Sequence, residues 1–377
     1  MPNRLGIASM SLGRPGIHDL PNKLHQASQH GYSGIELFFD DLEHLARTSH
    51  AGDVLAAAHH VHSLCLSLNL SIICLQPFGF FEGLLDRTEH ERLVTEKLPL
   101  WFTIAHALHT DLIQIPSNFL PNDPVTGKSR TTGDMDIIIS DMQRVADLGL
   151  QQTPVIRFVY EALAWGNHID TWEAAYDVVE RTDRPNVGIC LDTFNLAGRV
   201  YADPSCPTGK TPNADAELAA SLTRLRERVD VSKIFYLQIV DGERLSAPLN
   251  KSHEWHVDSQ PCRMSWSRNA RLFAFEEDRG GYLPVLETAK AFFDTGFEGW
   301  VSLELFSRTL ADTDPATPMR HAQRGYESWR KLVGALGLKT AASALVDGSD
   351  GDSVSGKSEG SEGSEGSDGL VAVQHRL

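Results

Sequence analysis

Four apolar runs in the chain carry, at or near their ends, a residue able to offer oxygen to a cation. Glu161 follows the run at 154–160, Asp192 closes 187–192, Gln238 lies in 233–240 and Glu304 in 300–306. One polar residue at the end of an apolar run usually starts a loop or caps a helix. Three carboxylates and a carboxamide converging on one spot differ from that, because ionised carboxylates removed from water repel one another unless a cation neutralises them. Donors of this kind suit Mg²⁺ or Mn²⁺, with Co²⁺ also admissible, and no thiol accompanies them to favour zinc. A divalent ion held by Glu161, Asp192, Gln238 and Glu304 would act as a Lewis acid and stabilise negative charge developing on a carbonyl or hydroxyl oxygen.

Converging side chains need elements that point them the same way. Apolar runs recur at 4–10, 33–39, 71–76, 111–116, 154–160, 187–192, 233–240 and 300–306. Helix-like segments lie between them, at 53–69, 89–109, 134–149, 170–182, 215–228, 283–295 and 318–336. Strands alternating with helices pair in parallel, since each crossover returns the chain to the same end of the sheet. Eight such units over residues 1–340 predict an α/β fold, a closed (β/α)₈ TIM barrel serving as the catalytic domain. A doubly wound open sheet is the alternative, but no G-x-G-x-x-G follows any strand to mark its dinucleotide-binding form. Enlarged loops are expected after strand 4 (117–132), strand 6 (193–214) and strand 7 (241–282), on the face where barrel enzymes place their chemistry.

Composition narrows the partners. The 377 residues hold 34 Lys+Arg against 50 Asp+Glu, a net charge of −16. With no basic run, nucleic acid and anionic membrane surfaces are excluded as main partners. Five cysteines (Cys65, Cys74, Cys190, Cys206, Cys262), odd in number and without a C-x-x-C pair, suggest neither a disulfide framework nor a zinc knuckle. No signal-like apolar segment opens the chain and no stretch approaches the roughly 18 apolar residues of a membrane span, so a cytoplasmic protein is expected. Residues 341–377 turn to Gly, Ser, Asp and Glu, with seven acids and two bases, which leaves −11 on the body. Such a segment buries too little to offset its ordering entropy, and a disordered acidic tail is expected there. Within it, Gly351 to Ser358 matches the letters of the phosphate loop G-x-x-x-x-G-K-S. It lacks the flanking strand and helix that would aim backbone N–H groups at a phosphate, so no nucleotide site is expected.

The strand-end residues sit in longer motifs: Tyr160-Glu161-Ala-Leu-Ala-Trp-Gly166-Asn-His168-Ile-Asp170, Cys190-Leu-Asp192-Thr-Phe-Asn195, Leu237-Gln238-Ile-Val-Asp241-Gly242 and Ser302-Leu-Glu304-Leu-Phe. With Gly34-Ile-Glu36-Leu-Phe, Ile73-Cys-Leu-Gln76-Pro77-Phe and Met264-Ser-Trp-Ser-Arg268-Asn-Ala-Arg271-Leu-Phe, the chain resembles the xylose-isomerase-like barrels. More closely, it resembles the 3-dehydroshikimate dehydratases of fungal quinate catabolism, from about residue 5 to residue 335. The resemblance implies a divalent-metal site at Glu161, Asp192, Gln238 and Glu304, and a hydro-lyase reaction converting 3-dehydroshikimate to protocatechuate and water. Two positions depart from the pattern. Asn195 stands where the broader superfamily often has His, so if that His is a base in some relatives another group must serve here, and Gly79 stands where a polar or charged loop residue is expected.

For that reaction a proton α to the ring ketone must be removed, the β-hydroxyl expelled and the enolate stabilised. The acid and base candidates are His168, placed at the start of the fifth helix, His256, and a ligand carboxylate, Glu161 or Glu304. Arg271 or Arg268, more readily Arg271, would clamp the substrate carboxylate in two parallel hydrogen bonds, with Ser267 assisting and His256 a further substrate contact. His59, His60 and His62 are read as a solvated helix face, and Trp255, Trp266, Phe80 and Phe81 as core or loop packing, with a cover that excludes water from the mouth as the alternative. A sugar isomerase or epimerase on the same barrel, an abasic-site endonuclease and a non-catalytic binding protein are the alternatives. A body charge of −11 argues against the endonuclease, and oligomeric state is left open.

Overall fold

The computed structural model describes residues 2–340; the acidic segment from 341, with its phosphate-loop-like octapeptide, lies outside the described residues. Eight parallel strands close on themselves in chain order: β1 Arg4–Ala8, β2 Gly34–Phe38, β3 Ser71–Gln76, β4 Leu112–Pro116, β5 Arg157–Glu161, β6 Val187–Asp192, β7 Ile234–Gln238 and β8 Trp300–Leu303. The ring completes where Arg4 to Ile7 of β1 register with Trp300 to Leu303 of β8. Each strand is short, and successive side chains alternate between the barrel interior and the surrounding helices.

That alternation builds the interior in layers. Ile73, Cys74, Leu112, Val159, Cys190 and Tyr236 form an apolar cluster of their own, separate from the large core between strands and helices. Two residues further along the same strands come Gln76, Gln114, Glu161, Asp192 and Gln238, all buried. An apolar plug therefore carries a polar layer at the C-terminal mouth. Close approach explains two glycines at the base: a Cβ on Gly6 would fall 2.4 Å from Ile73 Cδ1, and one on Gly34 2.6 Å from the Trp300 ring. Ile73 is the extra residue of a β2–β3 register shift, where Ile35 pairs with Ile72 but Glu36 with Cys74.

The helices follow the expected pattern with instructive exceptions. Residues 89–109 were expected as one helix; the chain instead forms Arg87–Arg92, a π-helical turn at Leu93–Lys97 and Leu98–Ala107. Pro99 follows that wider turn, and its missing N–H withdraws one helical hydrogen bond there. Phe39–Ser49 is a helix that the periodicity did not mark. Two of the expected loops contain helices as well, Thr193–Val200 after β6 and Cys262–Ala270 after β7. The segment after β7 also forms a two-residue antiparallel ribbon in which Gly242 pairs with Arg271. This ribbon returns the chain to the barrel mouth and sets Arg271 beside the strand ends.

Candidate active site

Glu161, Asp192 and Glu304 each bring a carboxylate oxygen to within 4.8 Å of the other two, and all three are buried. Neutral donors orient two of them, Glu161 and Asp192. Asn195 Nδ2 donates to Glu161 Oε1 (2.8 Å) and to Asp192 Oδ2 (2.7 Å), while its Oδ1 accepts from the Ala164 N–H (3.0 Å). Gln114 Nε2 donates to the other oxygen of Glu161. Asp192 Oδ1 caps the helix Thr193–Val200 by accepting from the Phe194 N–H at 2.7 Å. Gln238 registers beside Asp192 on the neighbouring strand, and its buried Oε1 has no hydrogen-bond partner.

Among the described residues one cation reaches this cluster. Arg271 is 1% exposed, and its Nη1 lies 3.1 Å from Asp192 Oδ2, from Glu304 Oε2 and from the Glu304 carbonyl oxygen. Its Nε donates to Ser267 Oγ at 2.9 Å, and its guanidinium lies over the rings of Phe194 (4.3 Å) and Phe306 (5.1 Å). A single guanidinium does not offset three acids. Burial first, then the charges of Glu304 and Asp192, hold the Glu161 carboxyl well above its usual range. Burial pushes Glu304 up to about 8 against the opposing pull of Arg271, and burial raises Asp192 as well. Buried acids disfavoured as anions, together with an orphan amide oxygen, form a donor set that fits a divalent cation.

Above the cluster lies a cavity of about 180 Å³. Phe38, Phe119, Trp165 and Phe306 wall it, with Gln76, Gln114, Glu161 and Glu304 among its lining. Ser267, Arg268 and Arg271 come to it from the segment after β7. A larger hollow of about 960 Å³ runs beside the helix Val285–Asp294 and shares none of these residues.

The expected site residues are thus sorted. Arg271 is committed to the acids of the cluster and Ser267 to Arg271, so Arg268 is the arginine of the cavity lining with no hydrogen-bond or ion-pair partner among the described residues. His168 is exposed and hydrogen-bonded through Nε2 to Thr131 Oγ1 at 3.1 Å. His256 pairs with Asp258 at 3.0 Å. Neither histidine lines the cavity: a place in a mouth-side loop set the end of the barrel but not the direction of the side chain. Glu36, Gln76 and Gln114 carry the signal that marked strands 5 to 8, a polar residue in an apolar strand, on strands 2 to 4. Asn195 was legible only as a departure; in the fold it binds two of the acids at once.

Known proteins share this barrel. Residues 24–332 match the family model of the xylose isomerase-like TIM barrel. The 3-dehydroshikimate dehydratase of Neurospora crassa is 52% identical over 345 residues, covering 88% of this chain and 94% of that protein. The 3-dehydroshikimate dehydratase of Pseudomonas putida is 27% identical over 330 residues, 87% of this chain; the match spans only 41% of that longer protein. Among solved structures, a xylose isomerase-like TIM barrel/4-hydroxyphenylpyruvate dioxygenase fusion protein superposes with a TM-score of 0.66 at 25% identity, over 89% of this chain and 43% of that one. A probable 3-DHS dehydratase from Bacillus anthracis shares the fold with a TM-score of 0.52 at 14% identity, over 85% of this chain and 97% of that one. The chain belongs to the xylose isomerase-like TIM barrels and, among them, to the 3-dehydroshikimate dehydratases.

Proposed function

We propose that the chain dehydrates 3-dehydroshikimate to protocatechuate in the cavity above Glu161, Asp192 and Glu304. The observation that carries this reading is the buried carboxylate cluster under a ring-sized chamber, in a chain 52% identical to a dehydratase of that name. Glu161, Asp192, Gln238 and Glu304 would hold Mg²⁺ or Mn²⁺, with Co²⁺ a third candidate. Such an ion supplies Lewis acidity that stabilises an enolate oxygen.

The remaining work falls to side chains. Arg268 binds the substrate carboxylate through its unengaged guanidinium. The aromatic walls hold the ring and exclude water. Proton transfer falls to a carboxylate, since among the described residues no histidine lines the cavity. Glu304, through the oxygen not held by Arg271, takes the proton α to the ketone and returns it to the departing β-hydroxyl, which leaves as water. A second proton then passes from the remaining saturated ring carbon to the ketone oxygen, which gives the catechol. A small-molecule substrate asks nothing of nucleic acid or membrane; among the described residues no helix is long and apolar enough to cross a bilayer. All five cysteines are unpaired, which supports a reducing, cytoplasmic setting.

Purified protein given 3-dehydroshikimate will develop the absorbance of a catechol carboxylate in the presence of Mg²⁺ or Mn²⁺. It will lose activity to a chelator and recover when the ion returns. No product with Mg²⁺, Mn²⁺ or Co²⁺ overturns the dehydratase reading, and turnover indifferent to chelation removes the metal from it. The role of Arg268 has its own signature. Arg268→Ala raises KM for 3-dehydroshikimate by about tenfold to a hundredfold, the scale of a charge-assisted hydrogen bond, with a smaller change in kcat; Arg268→Lys recovers part of the loss.

A further inference from the structure

Below the proposed ligands lies an acid with no place in the mechanism above. Glu36 on β2 is 0% exposed, and its Oε2 accepts from Gln76 Nε2 and from Gln238 Nε2, each at 2.8 Å. The thiol of Cys74 lies 4.0 Å from the same oxygen. Resting on the metal reading of the site, we propose that Glu36 is a positioning residue that decides which end of the Gln238 amide faces the cation.

A carboxylate can only accept hydrogen bonds, so the Gln238 group 2.8 Å from Glu36 has to be the NH₂ end of the amide. The other end, Oε1, is thereby turned away from Glu36, on the strand beside Asp192, where it is buried without a partner. Orientation matters here because the two ends of an amide are opposites toward a cation: the oxygen is a hard ligand, and the NH₂ group repels the ion. A half-turn of χ3 would exchange them at little torsional cost. Among the described residues nothing else binds the side chain of Gln238, so the contact with Glu36 selects the orientation. Gln76, held by the same oxygen, lines the cavity and ties Glu36 to its floor. An outer carboxylate that orients a ligand is worth about tenfold to a hundredfold in metal affinity.

The test measures Mn²⁺ affinity directly, from the loss of the free-ion electron paramagnetic resonance signal as protein is added, without substrate. Glu36→Gln can present either amide end to Gln238 and is expected to weaken Mn²⁺ binding by about tenfold to a hundredfold. Glu36→Asp keeps the charge and withdraws the reach, and is expected to lose affinity as well, whereas a role through charge alone predicts none. Gln238→Glu in the native background sets two carboxylates in contact and is expected to bind poorly. Adding Glu36→Gln to it restores an N–H···O⁻ pair and should raise affinity, so the effect of the same exchange reverses sign between the two backgrounds. Equal losses in both backgrounds, or a Glu36→Gln protein within twofold of the native affinity, overturn the proposal while leaving the metal reading intact. A native protein that binds no Mn²⁺ overturns both.

Discussion

Glu161→Gln will lower dehydration of 3-dehydroshikimate by about a thousandfold or more, the scale of losing a main electrostatic contributor at a reacting oxygen, and leave the far-ultraviolet circular dichroism unchanged. The size follows from the surroundings of the carboxylate. One oxygen accepts from Asn195 Nδ2 and the other from Gln114 Nε2. A glutamine in its place must turn its own NH₂ group toward one of these donors, in either orientation of the amide. The substitution therefore removes one of three charges and also sets donor against donor in a buried site. Glu304→Gln is expected to be comparably inactive through loss of both a ligand and the proposed proton acceptor. Steady-state rates under saturating Mg²⁺ or Mn²⁺ measure both; near-normal turnover in either variant would refute the ligand assignment.

The second large effect concerns stability. Arg271→Met will destabilise the metal-free protein by about 3–5 kcal/mol, the cost of leaving buried charges uncompensated, read from denaturant unfolding. Methionine preserves much of the contact with Phe194 and Phe306 but leaves Asp192 and Glu304 without their shared cation. The loss has a pH signature with a definite sign. Glu304 is raised to about 8 in the folded state, so between its unfolded value near 4.3 and about 8 the folded chain holds the extra proton. Stability from this group accordingly falls as pH rises through that window. Removing Arg271 deepens the fall, so the variant suffers more at pH 8 than at pH 5. Saturating Mn²⁺ should shrink the difference by occupying the same electrostatic role. A loss independent of both pH and Mn²⁺ would mean that Arg271 contributes packing rather than charge.

Much of this was legible in the residues, and the failures have causes. The barrel could be counted because each strand is an apolar run bounded by turn chemistry. The acids at 161, 192 and 304 could be read because each stands at the end of such a run, where an anion has no ordinary reason to be buried. Side-chain direction was not legible. His168 belongs to a mouth-side turn, yet its ring reaches outward to Thr131. Arg268 and Arg271 lie three residues apart on one segment, but the helix Cys262–Ala270 ends between them, and the ribbon with Gly242 turns Arg271 into the acids. The partners of Glu161, Gln114 and Asn195, come from two different strand–helix units, and only closure of the barrel makes them neighbours.

The aromatic walls of the cavity bear on the course of the reaction itself. Phe38, Phe119, Trp165 and Phe306 offer broad apolar faces to whatever occupies the chamber. The substrate enters as a puckered ring with saturated carbons and leaves as a flat benzenoid one. Such faces gain contact as the ring flattens, which favours the path to product over the starting material. The same preference makes departure slow. A chamber that helps a ring become planar also retains a planar ring, so turnover would be set by how readily the catechol escapes, and flat benzoates would compete for the space.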